Sequence, residues 1–218
     1  YPIYGYRGDG VNLESTSDDG GGYNMGWTSS GQWFRYSLNV STAGAYAVAM
    51  RVAAPGAVIR PPAVYSGKTT YEGELGIVIG KTCTAVSSAE ADRFIFGYTC
   101  VNDITANDIL GRDPTFAQWA RCKGIDGYGP FGPVIVAGVD PATLVVRTIL
   151  NGEERQNYPI ADMIFTAQEL VSKISHDMTL LPGDLILCGT SVGVGSMKPG
   201  SLVEVEIDGI GKLANRFE

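Results

Sequence analysis

The sequence predicts a β-rich fold, mainly strands with a few short helices. Runs of apolar and β-branched residues of strand length recur through residues 57–218, and turn residues separate them. One such turn is Asn151-Gly152, the pair that a two-residue type I′ hairpin favours. Two Ser/Thr-x-x-Glu patterns, at Ser87 and at Thr166, each predict the start of a short helix. We therefore expect a β-rich roll that carries small helices.

The predicted elements follow one another along the chain. Alternation over residues 34–40 is typical of a strand, with Phe34 and Tyr36 on one face and Trp33 and Arg35 on the other. The helix after Thr166 should bury Leu170, Val171 and Ile174, which recur at helical spacing. In the last predicted strand Val203, Val205 and Ile207 should point inward. Strands are predicted at residues 75–79, 94–101, 143–150, 185–188 and 202–207.

Composition narrows the classes of function. The chain has 218 residues, 44% of them hydrophobic and 18% charged, so it can bury a sizeable core. Its net charge of -7 disfavours nucleic acid, whose phosphates carry the same sign. We see no signal peptide and no apolar run near the length of about 18 residues that spans a bilayer, so we expect no membrane partner. The four cysteines lack C-x-x-C spacing, which favours buried thiols over a structural zinc site.

Two glutamates in an apolar stretch are the strongest signal for a functional site. Glu72 and Glu74 lie two apart where a buried-strand pattern begins, so period-2 geometry points both side chains to one face. Carboxylates on an apolar strand are costly unless something neutralises them, and a hard cation with oxygen ligands does so. Asp103, at the end of the next predicted strand, is the natural third ligand. The alternative is a solvent-facing strand edge, which we favour for the second copy of the pattern, Glu204-Val205-Glu206.

Short motifs around these acids occur in a fixed order. They are Tyr71-Glu72-Gly73-Glu74-Leu75-Gly76, Gly97-Tyr98-Thr99, Asn102-Asp103, Gln118-Trp119-Ala120-Arg121-Cys122-Lys123-Gly124, Gly129-Pro130-Phe131-Gly132-Pro133, Asn151-Gly152-Glu153, Asp162-Met163-Ile164-Phe165, Met178-Thr179-Leu180-Leu181-Pro182-Gly183-Asp184, Cys188-Gly189-Thr190-Ser191-Val192-Gly193 and Gly209-Ile210-Gly211. On these motifs, residues 57–218 resemble the fumarylacetoacetate hydrolase family of metal-dependent enzymes. That family acts on 2-oxo and β-diketo acids, and its fold is a mixed β roll.

The resemblance implies a metal site and a reaction class. Glu72, Glu74 and Asp103 match the family's ligands for Mg²⁺ or Mn²⁺. A 2-oxo acid that chelates such a cation is polarised toward its enolate, which permits C–C bond hydrolysis, decarboxylation or keto-enol isomerisation. The resemblance also implies a homodimer and a cytoplasmic location for this part of the chain.

Three further residues are candidates for contact with the substrate. Lys123 matches the family's active-site lysine and would present a cation to the developing enolate or to the substrate carboxylate. Gly189 and Thr190, in a glycine-rich turn after a strand, would offer backbone N–H groups and a hydroxyl to that carboxylate. The alternatives are a solvated surface lysine and a plain tight turn.

The N-terminal part resembles a different family. The motifs that carry this resemblance are Gly10-Val11-Asn12-Leu13-Glu14, Gly22-Tyr23-Asn24-Met25-Gly26-Trp27-Thr28, Gly31-Gln32-Trp33-Phe34-Arg35-Tyr36 and Ala43-Gly44-Ala45-Tyr46. Residues 6–54 are similar to part of the β-sandwich carbohydrate-binding modules attached to xylanases and agarases. Tyr23 is then the candidate for stacking on a sugar ring, and the alternative is a tyrosine of the core.

A change in composition near Pro55-Gly56 predicts two parts. Residues 1–55 form a partial carbohydrate-binding-module-like β segment, and residues 56–218 form the fumarylacetoacetate hydrolase-like domain. Against its family each part is incomplete: the sandwich lacks its C-terminal half, and the enzyme lacks the N-terminal lid that bears a His and a Glu. A recombined gene, an engineered chimera and a generated sequence would each give this pattern.

A missing lid would lower the rate of some of these reactions more than that of others. Hydrolysis in the family uses the lid His-Glu pair to activate water, and the single histidine here, His176, does not match that position. Loss of a general base costs about 10² to 10⁴ in rate, so isomerisation or decarboxylation should survive better than hydrolysis. The rival hypothesis is a carbohydrate-binding protein, of the kind that is secreted, whose second part is only scaffold. We expect its sugar affinity to be weak.

Overall fold

The computed structural model describes residues 12–15, 23–26 and 58–218 of the chain. Contacts divide the chain into two compact units, residues 1–45 and 46–218. In the first unit β1 (Asn12–Ser15) pairs antiparallel with β2 (Tyr23–Gly26). The strand predicted at residues 34–40 lies outside the described residues, and the boundary predicted at residue 55 stays a prediction.

Strands dominate the second unit, as the sequence predicts. The structure has a strand at each of the predicted runs 75–79, 94–101, 143–150, 185–188 and 202–207, with ends that differ by at most about two residues, and it adds strands that were not predicted. In chain order the strands are β3 (Val58–Ile59), β4 (Thr69–Tyr71), β5 (Gly73–Ile79), β6 (Ile95–Asn102), β7 (Thr105–Ala106), β8 (Phe131–Val136), β9 (Val145–Leu150), β10 (Glu153–Pro159), β11 (Leu185–Leu187), β12 (Gly195–Ser196), β13 (Leu202–Ile207) and β14 (Gly211–Phe217).

The described strands of this unit form three sheets. A five-stranded sheet has the order β10-β9-β13-β14-β3, a four-stranded sheet the order β11-β5-β6-β8, and a small sheet the order β12-β4-β7. Only β3 and β14 pair in parallel; the other pairs are antiparallel. The predicted mixed, β-rich fold is confirmed.

The main core joins the two larger sheets. It includes Leu75 and Ile77 of β5 and Val205 and Ile207 of β13, all at most 1% exposed. Every residue of β5 is buried, which explains its near-continuous apolar sequence. In contrast, β13 alternates between buried and half-buried positions, so the predicted inward face of that strand is confirmed.

Three α-helices lie among the described residues: α1 (Asn107–Leu110), α2 (Trp119–Lys123) and α3 (Ala167–Asp177). The predicted capping box at the start of α3 is confirmed, since the Thr166 hydroxyl accepts from the Glu169 N–H at 3.2 Å and the Glu169 carboxylate accepts from the Thr166 N–H at 2.8 Å. The fully buried stripe of α3 is Ala167, Val171 and Ser175.

Two predictions about helices need correction. Leu170 and Ile174 are only half-buried, because α3 presents to the sheet the i, i+4, i+8 stripe that contains Val171. The helix predicted after Ser87 is reduced to a turn and a single 3₁₀ turn, Ala91–Arg93. There the Ser87 hydroxyl donates to the Glu90 carboxylate at 2.9 Å instead of capping backbone N–H groups, and β6 begins soon afterwards.

Other local expectations hold. Asn151 and Gly152 have φ of 52° and 84°, the left-handed values that the hairpin between β9 and β10 requires. All four cysteines are free thiols, and three are buried. Across the part of the chain that the structure describes, we find no helix whose length and apolar character would let it cross a bilayer.

Candidate metal centre

The acidic residues meet where two antiparallel strands begin and end. Glu72 occupies the single position between β4 and β5, and Asp103 directly follows β6, the strand that pairs with β5. The Asp103 N–H donates to the Glu72 carbonyl at 2.8 Å, and the Glu72 N–H donates to the Asn102 side-chain oxygen at 3.0 Å. Pairing of adjacent strands therefore brings Glu72 and Asp103, which are far apart in the chain, to one point.

Three carboxylates converge at this point. Oxygen atoms of Glu72, Glu74 and Asp103 all lie within 4.8 Å of one another. The side chains of Glu72 and Asp103 are 19% and 14% exposed, and Glu74 is 2% exposed. Two carboxylates at 4.8 Å repel by about 3.5 kcal/mol at an effective dielectric constant of about 20. The cluster needs a positive charge to be stable when it is fully ionised.

Glu74 is the most perturbed acid of the cluster. Burial raises its pKa to about 8, against an ordinary value of 4.5. One hydrogen bond acts in the opposite direction, since the Gly189 N–H donates to the Glu74 carboxylate at 2.8 Å. The charges of Asp103 and Glu72 raise the pKa further. Glu74 is thus an acid that is ionised near neutrality only when a cation is close.

Lys123 supplies one such cation. Its Nζ lies 3.3 Å from Glu72 and 3.0 Å from the Thr105 hydroxyl, and it forms a short contact with Asp103. Burial lowers the pKa of Lys123, but the hydrogen bond and charge of Asp103 outweigh that effect, so the net pKa is raised. The ammonium also lies 5.9 Å from the centre of the Trp119 ring, one turn earlier on α2. The alternative of a solvated surface lysine is wrong.

The glycine-rich turn after β11 contacts the acid cluster from the other side. The Gly189 N–H is used by Glu74, and the Thr190 hydroxyl donates to the Gly73 carbonyl at 2.8 Å. Both groups that were predicted to meet a substrate carboxylate therefore have partners within the protein. A plain tight turn does not describe this segment, because it supports Glu74 directly. Substrate contact by Gly189 and Thr190 stays a prediction.

Two buried side chains of β10 were missed by the sequence analysis. The Gln156 amide accepts from the Gly73 N–H at 3.1 Å, and the Tyr158 hydroxyl donates to the Gly73 carbonyl at 2.9 Å. Gly73 itself is required at its position, because a Cβ there would overlap the Thr148 hydroxyl. In the sequence Gln156 and Tyr158 stand in a charged run that looks solvent-exposed, and only their two-residue spacing hints at a common inward face.

The single histidine of the sequence is not part of the acid cluster. His176 is exposed on α3, where its Nδ1 is 2.8 Å from the Ser172 carbonyl, and no imidazole is among the groups that touch the three carboxylates in the described part of the chain. Tyr23 begins β2, but its side chain lies outside what the structure describes. Its proposed contact with sugar therefore stays a prediction.

The donor set fits a hard divalent cation. Three ionised carboxylates and one ammonium leave two negative charges, which one divalent cation would balance. Mg²⁺ and Mn²⁺ prefer oxygen ligands, and Glu72, Glu74 and Asp103 each offer a carboxylate oxygen. A cation held by such carboxylates could polarise a carbonyl oxygen of a bound molecule.

Comparison with protein families identifies the family to which the chain belongs. Residues 40–218 match the family described as fumarylacetoacetate (FAA) hydrolase C-terminal, so the chain belongs to this family. A second match, to the carbohydrate binding module (family 6), covers residues 5–60, most of which lie outside the described residues. The first match begins well before residue 56, so the two matches overlap at residues 40–60.

Two of the relatives have the names of enzymes. The chain is 39% identical over 172 residues to oxaloacetate tautomerase YisK of Bacillus subtilis, covering 74% of this chain and 56% of that protein. It is 45% identical over 150 residues to the 4-hydroxyphenylacetate degradation bifunctional isomerase/decarboxylase of Salmonella dublin, covering 67% of this chain and 34% of the relative. The chain spans 65% of a Methanocaldococcus jannaschii relative that is uncharacterised. It therefore corresponds to less than two thirds of these proteins.

Solved structures share the fold. A 5-carboxymethyl-2-hydroxymuconate delta-isomerase from Mycobacterium smegmatis matches with a TM-score of 0.71 and 42% identity, over 75% of this chain and 63% of that one. The fumarylpyruvate hydrolase from Pseudomonas aeruginosa, solved with Mn²⁺ and pyruvate, matches with a TM-score of 0.70 and 30% identity, over 74% and 70% of the two chains. None of these names concerns sugars, so the carbohydrate-binding alternative and the idea of a chimera gain no support from them.

Proposed function

We propose that the chain is a metal-dependent enzyme module that acts on 2-oxo acids by keto-enol isomerisation or decarboxylation, with Mg²⁺ or Mn²⁺ held by Glu72, Glu74 and Asp103. The observation that carries this proposal is the buried carboxylate of Glu74, 2% exposed and within 4.8 Å of two other acids. An acid in that position is costly unless a cation joins it. Relatives named as a tautomerase, an isomerase/decarboxylase and a delta-isomerase support the reaction class.

Lys123 and Gly189 have different roles in the proposed site. The chemistry that a divalent cation supplies when bound is polarisation of a carbonyl beside a carboxylate. Lys123, whose raised pKa keeps it protonated, provides a fixed positive charge at the cluster and can face the oxygen on which negative charge develops. Gly189 holds Glu74 in place through its N–H.

Hydrolysis of acylpyruvates ranks below these reactions. It requires an activated water molecule in addition to a polarised carbonyl. The single histidine of the sequence, His176, lies on the exposed side of α3 with its ring against a backbone carbonyl. The fumarylpyruvate hydrolase among the structural relatives keeps this activity as the second candidate.

A set of oxaloacetate assays tests the proposal. With Mn²⁺ the wild-type chain should interconvert the keto and enol forms or decarboxylate oxaloacetate, and Asp103→Asn should abolish both reactions. Glu204→Gln removes a carboxylate on another strand and serves as the matched control. No metal-stimulated reaction in the wild type, or equal loss in the control, would overturn the assignment. Acylpyruvate hydrolysis that disappears in His176→Ala would reverse the ranking.

Lys123→Ala gives a second, sharper test. Because Lys123 contacts two of the proposed ligands, its removal should slow turnover while making Mn²⁺ bind more tightly, as a competing cation is lost. Isothermal titration with Mn²⁺ measures the second effect without any substrate. Unchanged or weaker Mn²⁺ binding in Lys123→Ala would show that the lysine does not compete with the cation for Glu72 and Asp103.

A further inference from the structure

Two residues on the otherwise solvent-facing strand β10 are buried, and one of them is an amide. In β10 only Gln156 and Tyr158 are buried, and Gln156 is 2% exposed. The pairing of β10 with β9 shifts register between Glu154 and Gln156, so a bulge turns the amide away from the ladder. Burying an uncharged amide is unfavourable unless its donors and acceptor are both used.

Both ends of the Gln156 amide are used. Its oxygen accepts from the Gly73 N–H at 3.1 Å, and its nitrogen donates to the Thr190 hydroxyl at 2.8 Å and to the Ser191 carbonyl at 3.0 Å. The side chain therefore joins two segments that are far apart in the sequence. A carboxylate could not donate to Thr190 and Ser191, and an apolar side chain of the same length could make none of the three bonds.

The two segments that Gln156 joins are the two that hold Glu74. Gly73 lies between the glutamates, and Gly189 donates its N–H to Glu74 at 2.8 Å. Tyr158, on the same face of β10, donates to the Gly73 carbonyl at 2.9 Å and to the Gly189 carbonyl at 3.3 Å. The loop also passes closely over the bulge, since a Cβ at Gly193 would overlap the Arg155 carbonyl. The spacing between Glu74 and the Gly189 N–H thus depends on β10.

We propose that Gln156 is a positioning residue for the acid cluster: it holds the 189–191 turn against Gly73, and the turn in turn holds Glu74 in the orientation that a divalent cation needs. The inference rests on the proposed function, because it concerns the same metal centre. Removing hydrogen-bonding partners that orient metal ligands typically lowers metal affinity about 10–100-fold.

Gln156→Met tests this inference, since it keeps the length of the side chain and removes all three hydrogen bonds. Mn²⁺ affinity, measured by calorimetry, should fall about 10–100-fold, and the electron paramagnetic resonance spectrum of bound Mn²⁺ should change. Asn157→Asp is the matched control: the neighbouring amide is exposed and bonds only to Glu154 at 3.1 Å, so Mn²⁺ binding should stay as in the wild type. Unchanged Mn²⁺ affinity in Gln156→Met would overturn the inference.

Thr190→Val keeps the test decisive if Gln156→Met does not fold. It removes the hydroxyl that Gln156 and Gly73 share and leaves the size of the side chain nearly the same. We expect a similar loss of Mn²⁺ affinity, and in the double variant a loss no larger than that of the worse single variant, because both act through one connection. Wild-type affinity in Thr190→Val, or losses that add fully, would overturn the inference. Failure of the wild type itself to bind Mn²⁺ would overturn the proposed function as well.

Discussion

The chain contains the pattern Glu-x-Glu twice, and the two copies differ in almost every physical respect. Glu72 and Glu74 converge with Asp103, and Glu74 is buried. Glu204 and Glu206 lie on the outer face of β13, where Lys212 of β14 reaches them at 3.2 and 3.4 Å. Arg147 adds a contact to Glu206 at 3.1 Å. The second pair is neutralised by the protein's own side chains beside solvent, whereas the first pair retains excess negative charge.

The middle residue of each pattern explains the contrast. Gly73 leaves room for the Thr148 side chain and exposes both of its backbone polar groups to β10 and the 189–191 turn. Val205 instead points into the core at 1% exposure and leaves its flanking acids on the outer face. A two-residue period places acids on a common face, and the neighbouring strands decide whether that face becomes a site.

The largest expected difference between the copies is in metal binding. Glu74→Gln should lower Mn²⁺ affinity by at least about a hundredfold, because it removes a ligand and not merely a neighbour of one. Glu206→Gln should leave the affinity unchanged, since its partners are Arg147 and Lys212. Calorimetric titration measures both. Equal effects of the two substitutions would erase the distinction between the copies.

Substituting the middle residue of each pattern should distinguish effects on Mn²⁺ binding from effects on the free energy of unfolding. Gly73→Ala forces a Cβ into the Thr148 hydroxyl and should cost about 1–3 kcal/mol of unfolding free energy together with Mn²⁺ binding. Val205→Ala creates a cavity in the core and should cost a similar amount, on the order of 2 kcal/mol, while Mn²⁺ affinity per folded molecule is retained. Urea unfolding and Mn²⁺ titration of both variants check this. Retained Mn²⁺ binding in Gly73→Ala would show that the metal site tolerates a shift of the backbone between Glu72 and Glu74.

The response to pH should differ between the copies as well. The pKa of Glu74 is raised to about 8, so between about pH 4.5 and pH 8 the folded metal-free chain holds a proton that the unfolded chain has lost. That contribution to stability is complete below pH 4.5 and is lost as the pH rises toward 8. Mg²⁺ must displace the proton, so its affinity should rise about tenfold per pH unit up to about pH 8 and then level off.

Thermal melting with and without Mg²⁺ from pH 6 to pH 9 measures this response. Glu74→Gln should remove the dependence on pH. Glu206, whose pKa the hydrogen bond from Arg147 lowers, should contribute nothing in this range, so Glu206→Gln should keep the wild-type profile. A Mg²⁺ shift that is already maximal at pH 6 would contradict the protonation of Glu74.

The smallest effect is expected at the exposed pair. Lys212→Met should lower the free energy of unfolding by less than about 1 kcal/mol, because Lys212 is 46% exposed and its ion pairs are screened. In 1 M NaCl the difference from the wild type should nearly vanish. Denaturant unfolding at two salt concentrations measures it. A loss of unfolding free energy that persists at high salt would show that Lys212 stabilises the fold through more than its screened ion pairs with Glu204 and Glu206.

Much of this contrast could be predicted from the sequence, because it depends on strand period. Alternation in residues 202–207 gave the outer face, and the apolar run after Glu74 gave a buried strand. Asp103 could be found because it directly follows the strand that pairs with β5. The same local signals gave the hairpin at Asn151 and the capping box at Thr166.

What the sequence could not provide were contacts between distant segments. The role of Lys123 as the counter-charge of two acids depends on where α2 packs, and no periodicity determines that. Gln156 lies in a charged run, and its inward face results from a bulge. The engagement of Gly189 with Glu74 across 115 positions is likewise a product of the tertiary fold.

The spacing of these contacts along the chain has a consequence for folding. The hydrogen bonds that join Glu72 to Asn102 and to Thr105 close loops of 30 and 33 residues. Those that join the same segment to Gln156 and to Gly189 span 83 and 115 residues. Closing the longest of these loops costs about 1 kcal/mol more chain entropy than closing the shorter ones. We expect pairing of β5 with β6 to bring the three acids together early in folding, and the 189–191 turn to pack against them later. A cation present during refolding could then bind the three carboxylates before the 189–191 turn has packed against Glu74.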